Sequence, residues 1–201
     1  NWMDELDNGF SGIGPYLYAK SLRVAYREGL NLVILQSDKN RRDRILNREQ
    51  KEQCIDVWWE NDATSRLMLL FAYLMTRNET WSKATIRVLS SRSGEDKDNP
   101  DDDLEKLMED VRIDAEPVIV PDNEADTIIK MSSTASVVFL PFRVRDNQVL
   151  DAKEGQLLKL LPYLPMTALV MAAQDINLEA EPDTGSAGEL ALAEDKFNAA
   201  N

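Results

Sequence analysis

The stretch CIDVWWENDATSRLMLLFAYLMTRNETWSKATIRVLS, residues 54–90, decides the fold. Its opening run, Cys54–Trp58, is largely apolar on both faces, the pattern of a strand buried between two layers. A polar turn follows, and Asp62 stands where a helix N-cap belongs. Ala63–Thr76 then places Leu67, Leu70, Phe71 and Leu74 at i, i+3, i+4 and i+7, which predicts a helix with that face buried. Ala84–Ser90 returns to a Val/Ile/Leu-rich run. A strand, a helix and a second strand in this order predict a right-handed crossover between parallel neighbours.

The same alternation continues on both sides. Downstream, Glu116–Val120, Ala135–Leu140 and Thr167–Ala172 read as further buried strands. Helical spacing runs between them in Asp101–Val111, from Pro121-Asp122 through Met131, and in Asp151–Leu164, where Pro162 interrupts the last turn. From Cys54 to Ala172 this makes five strands and four helices, enough for a doubly wound α/β lobe with a mostly parallel five-stranded sheet and helices on both faces. Upstream, the helix Pro15–Glu28 and strand Asn31–Gln36 are left over. They read as the last piece of a preceding lobe, or as an added edge of this one. Ser37–Gln53, with Lys39, Arg41, Arg42, Arg44 and Arg48, reads as an exposed basic linker with room for a helical turn. The expected organisation is 1–50 as the end of a first lobe and linker, 51–180 as a second lobe, and 181–201 as a polar tail.

Composition narrows the chemistry. The 201 residues contain no histidine and one cysteine, Cys54. Ser–His and Cys–His catalysis are therefore excluded, as is nearly every zinc site. The single thiol excludes an internal disulfide framework, and at the head of an apolar strand it reads as packed filler. The net charge of −13 falls mainly in the second half of the chain and disfavours binding to nucleic acid or anionic lipid. No apolar run approaches the roughly 18–20 residues of a membrane span.

Three constellations could carry chemistry. Asp96, Asp98, Asp101, Asp102 and Asp103 form an acidic loop, but Pro100 interrupts it and the Gly and terminal Glu of a calcium loop are missing. Gly9, Gly12 and Gly14 precede a helix without the strand that would make a phosphate-binding turn, and neither GxxxxGK[ST] nor GxGxxG occurs. The basic linker could meet phosphate, or pair with the acidic half of the chain. The adjacent Trp58 and Trp59 must point to opposite faces of their strand; they read as core packing in both helix layers, the alternative being one in the core and the other at an interface. No catalytic, cofactor-binding or metal-ligating residue is assigned, and no cofactor is expected.

A family resemblance enters on these residues. IDVWW followed by LMLLFAYLMTRNETWSKATIRVL resembles the C-terminal cytoplasmic domain of cation–chloride cotransporters. PYLYAKSLRVAYREGLNLVILQ, VRIDAEPVIV, SSTASVVFLPFRV and LPYLPMTALVMAAQ resemble further segments of that domain, in the same order, over residues 13–174. The resemblance implies two universal-stress-protein-like lobes that form a homodimer and regulate chloride transport coupled to sodium and/or potassium. It implies a membrane domain elsewhere in the protein, a location on the cytoplasmic face of a membrane, and no enzymatic activity. The loops after Ser91 and Val120 are short, which leans toward a prokaryotic member. Universal stress proteins that bind ATP carry a Gly-rich turn after their fourth strand, whereas Pro141–Arg145 has no Gly here. A free-standing nucleotide-binding protein of that type is the alternative reading.

Overall fold

The computed structural model describes residues 15–49, 52–91, 113–145, 148–151, 157–174 and 178. The expected helix 101–111, the acidic loop, the glycines at 9, 12 and 14, and the tail lie outside these residues. The strands are β1 (Leu32–Gln36), β2 (Cys54–Trp59), β3 (Thr85–Ser91), β4 (Glu116–Val120), β5 (Val137–Pro141), β6 (Arg143–Arg145), β7 (Gln148–Leu150) and β8 (Met166–Met171). The helices are α1 (Pro15–Arg27), α2 (Lys39–Leu46), α3 (Ala63–Thr76), α4 (Ala125–Ser132) and α5 (Leu157–Leu160), the last running into a 3₁₀ turn at Leu161–Tyr163 around Pro162.

One six-stranded sheet has the order β1-β8-β5-β2-β3-β4. Five of its strands are the expected parallel set. The sixth is β1, which adds to the edge of β8 in antiparallel register, with Ile34 opposite Leu169. The sheet is therefore one strand wider than the five read from the sequence, because the leftover helix–strand piece joins it. A separate hairpin, β6–β7, follows β5 and was not anticipated.

Two apolar clusters fill the two faces. Trp59, with Ile55 and Val57, packs under α3; Trp58, with Val138 and Leu140, packs on the opposite side with α4 and α5. Both indoles are buried, and Trp58 donates its Nε1–H to Ser132 Oγ at 3.1 Å, satisfying its one polar group.

The α3 helix corrects an expectation. Leu67 is buried and Phe71 packs partly buried on the core, as predicted, but the buried face is shifted to take in Thr64, Ser65, Met68, Leu69 and Ala72, while Leu74 is exposed. Residues 67–72 are apolar nearly all round, so spacing alone left the face open. The small Ser65 and Ala72 let the helix approach the sheet closely, and Phe71 stacks on Phe139 at 6.5 Å. The start of α3 is strongly held. Asp62 Oδ1 accepts from the Ser65 backbone N–H and from its hydroxyl, each at 2.8 Å, and Ser65 Oγ accepts from Glu60 N–H at 2.9 Å. Asn61 takes φ 54 in the turn, a left-handed conformation that asparagine tolerates.

Candidate functional site

The parallel strands end at a cleft between β2 and β5. Chain direction in the sheet reverses there, with β2 leading outward to β3 and β5 leading the other way to β8. Such a switch point leaves a crevice beyond the strand C-termini, where open α/β sheets commonly hold ligands. Its walls are apolar, built from Trp58, Trp59, Ile128, Leu140, Pro141, Leu157 and Leu160. Its polar lining is Glu60, Ser91, Asn123 and Asp151. Each comes from the end of an element or the turn after it, so the topology alone gathers them. The cavity measures ≈ 30 Å³, enough for a water or two.

Asn123 donates its amide Nδ2–H to Glu60 Oε1 at 3.3 Å, which ties the β4–α4 turn to the end of β2. That bond fixes the amide's orientation and leaves Oδ1 buried without a partner. A residue in the turn after one strand, with an acid at the end of a strand two places away in the sheet, is a signal the sequence contained but periodicity does not weigh.

A second polar group lies within the sheet. Asp56 is fully buried and faces Arg87 across the β2–β3 ladder. Arg87 grips it in bidentate fashion, Nε to Oδ1 and Nη2 to Oδ2, both at 2.8 Å. Nη2 also donates to the Met131 carbonyl at 3.1 Å, near the C-terminus of α4, where a positive charge meets the negative end of the helix dipole. The hydrogen bonds to Asp56 hold the Arg87 guanidinium in its charged form more firmly than usual. Cys54 lies two residues before Asp56, with Sγ 3.4 Å from Oδ1. Burial first, and the Asp56 charge second, push its thiol up to about 12, so it is an unreactive thiol at neutral pH.

The basic linker is not a free chain. Asp38 caps α2 by accepting from the Arg41 backbone N–H at 2.8 Å, and this bond chiefly lowers its carboxyl pKa. Arg41 also pairs through its side chain with Asp38 and donates to the carbonyls of Leu164 (3.2 Å), Leu161 and Pro162 (3.4 Å each). Arg48 donates to the Thr134 carbonyl and Ser136 Oγ, each at 3.0 Å. With Ile45 in the core beneath α3, this segment is strapped across the connections that enter β5 and β8. The exposed linker expected over 37–53 is thus a folded, pinned element over its described residues 38–49, held through the side chains of Arg41 and Arg48.

Pro141–Arg145, where a stress-protein phosphate turn would lie, continues as strand and hairpin. Phe142 N–H donates to the Val170 carbonyl at 2.9 Å and its ring is buried. Among the described residues, no group of His, Cys, Asp and Glu could hold a metal ion, and no helix is long and apolar enough to cross a membrane.

Comparison with known proteins agrees with the motif reading. The family model described as Solute carrier family 12 matches residues 26–160, well over half of the chain. A solved structure titled as the cytoplasmic domain of a prokaryotic cation chloride cotransporter superposes with a TM-score of 0.54 at 17% identity. The alignment covers 81% of this chain and 60% of that one, so the likeness is one of fold and spans only part of the solved domain. No curated protein matches the sequence.

Proposed function

The chain belongs to solute carrier family 12, and on that premise we propose that it is the cytoplasmic regulatory and dimerisation domain of an electroneutral cation–chloride cotransporter. The family is one of transporters, so the chain is part of a transport protein and not an enzyme. In this reading residues 1–50 close a first lobe, 51–180 form the second and 181–201 are a polar tail. The partners are the protein's own transmembrane domain and a second copy of the cytoplasmic domain.

The observation that carries the reading is the seam between β1 and β8. Each strand follows a helix, α1 before β1 and α5 before β8. Leu22 and Ala25 of α1 and Leu157 and Leu160 of α5 pack into the same cluster, on the same face of the sheet. Two antiparallel strands with their helices on one face are related by a local two-fold axis perpendicular to the sheet, close to Ile34 and Leu169. That axis exchanges Val33 with Ala168 and Leu35 with Val170. Val170 and Ala168, packed in the cluster beneath α3, are 0% and 4% exposed, whereas Val33 and Leu35 are 49% and 53% exposed. A preceding lobe would complete the symmetry. It would lay a strand along the open edge of β1 and a helix over Val33 and Leu35, burying apolar surface worth about 1.5–3 kcal/mol per side chain when fully covered.

Relative motion of two such lobes would not be hinged at 37–49, because α2 is strapped to the second lobe. It would be hinged at the seam or beyond it. The test is chloride-dependent cation uptake in cells expressing the whole protein, with and without this domain and with the Val33→Glu/Leu35→Glu pair. We expect uptake that requires chloride, loses its normal rate without the domain, and is altered by the pair at unchanged surface abundance. Uptake indifferent to chloride would sink the cotransporter reading, and uptake indifferent to the domain would sink the regulatory one. Mass measurement of the detergent-solubilised protein reads dimerisation separately.

A further inference from the structure

We propose that the cleft at the C-terminal ends of β2 and β5 is a hydration site, whose bound water bridges Asn123 to the neighbouring turns and leaves no room for an organic ligand. Size comes first. A water needs a cavity of at least about 10–15 Å³, whereas small-molecule pockets run to about 300–1,000 Å³. At ≈ 30 Å³ the cleft admits the first and excludes the second. The crevice where open α/β sheets commonly hold a ligand is, in this lobe, closed down to the dimensions of solvent.

Hydrogen bonding says where the water sits. Asn123 Nδ2 donates to Glu60 Oε1 at 3.3 Å, and Oδ1 is left buried with no donor from the protein. A buried acceptor without a partner is costly. The Trp58 indole in the wall does not answer it, because its Nε1–H goes to Ser132 Oγ. A water donates one O–H to Oδ1 and keeps its other O–H and its lone pairs for the rest of the polar lining, Glu60, Ser91 and Asp151. A carboxylate accepts several hydrogen bonds at once, so the contacts these acids already make do not stand in the way. The other walls, among them Ile128, Leu140 and Leu157, are apolar and give the water nothing to hop to, so it leaves only when the turns part. Its partners stand at the end of β2, the end of β3, the β4–α4 turn and the residue after β7. A shared water therefore ties the two halves of the sheet together at their switch point. The site stands apart from the β1–β8 seam and does not depend on how lobes pair.

The test is water–protein cross-relaxation, read by NMR on the full chain. We expect the methyl protons of Ile128 and Leu157 to show cross-peaks to water of opposite sign in laboratory-frame and rotating-frame spectra, the mark of a water that tumbles with the protein. A crystal structure should show ordered density roughly 2.7–3.2 Å from Asn123 Oδ1. Asn123→Leu, whose fold is checked by circular dichroism, removes the acceptor at similar volume and should lose the cross-peaks. AMP should give no saturable shift of the same methyl resonances. The proposal is overturned if the parent chain lacks the cross-peaks, if the cleft is dry in the crystal, if the cross-peaks survive in Asn123→Leu, or if AMP shifts the methyl resonances to saturation.

Discussion

Replacing Arg87 by methionine gives the sharpest test of how the sheet is held together. Asp56 is fully buried and the Arg87 side chain is 25% exposed, so the carboxylate depends on the guanidinium far more than the reverse. Arg87→Met removes both 2.8 Å hydrogen bonds and the bond to the Met131 carbonyl, and leaves the Asp56 charge uncompensated between two strands. Breaking a buried pair in this way costs roughly 3–5 kcal/mol. Because Arg87 retains some solvent contact, the lower end, about 3 kcal/mol, is expected here. The double variant Asp56→Leu/Arg87→Met removes the charge together with its partner. It should cost only about 1 kcal/mol, because an apolar pair of similar volume replaces two ions that had to be desolvated. Urea unfolding followed by circular dichroism measures both. With a slope of about 2 kcal/mol per molar, the single variant should lower the midpoint by about 1.5 M and the double by about 0.5 M. A single variant within about 0.5 kcal/mol of the parent would refute the argument. So would a double variant as unstable as the single, since the penalty would then lie in lost packing and not in the stranded charge.

Further outcomes follow from the other contacts. Asp62→Ala removes the acceptor for two Ser65 donors at the start of α3 and should cost about 1–2 kcal/mol in the same unfolding assay. Cys54 titrates from 9.0 when unfolded to about 12 when folded, so its contribution is complete below pH 9 and is lost as pH rises toward 12. Cys54→Ala should therefore flatten the alkaline fall in stability above pH 9, and iodoacetamide should label the native thiol at pH 8 far more slowly than the urea-unfolded one. Arg41→Met and Arg48→Met should each speed amide hydrogen exchange in α2 while leaving exchange in β2 and β3 at the parent rate, since only the straps are cut. Val33→Glu/Leu35→Glu should leave the stability of the chain itself within about 0.5 kcal/mol, because both side chains are half exposed.

The parallel set was legible because its strands carry a strong signal. IDVWW is apolar at every position but Asp56, TIRVL carries Ile86, Val88 and Leu89, and adjacent tryptophans in a strand can only serve two layers. The face of α3 was legible only in part, at Leu67 and Phe71, because a helix apolar on most sides offers several stripes and tertiary packing chooses among them. The hairpin Arg143–Leu150 was missed for the opposite reason: it is polar and short, and Asp146-Asn147 between Val144 and Val149 was its only cue. The ion pair had a visible trace. Ile55-Asp56-Val57 and Ile86-Arg87-Val88 set opposite charges at matching places in successive apolar strands, and a parallel register brings them side by side. Basic residues over 39–48 suggested solvent because charge runs usually face it. Whether they reach carbonyls on distant turns depends on tertiary geometry that local sequence does not encode. The cleft's polar lining was hidden in the same way, since Glu60, Asn123 and Asp151 come from three separate turns.

The antiparallel seam also sets an order of events during synthesis. β1 is made early, yet the strand that covers its inner edge is β8, the last of the sheet. Until Leu169 has left the ribosome, Ile34 and its neighbours have apolar side chains and unpaired backbone groups with no native partner within this lobe, a state prone to mispairing. A preceding lobe would shelter the other edge from the start, so the growing chain would use β1 as the finished border of one half and the template for closing the next. Assembly of the sheet thus ends at the β1–β8 junction, and errors late in synthesis would appear first as failure of that junction.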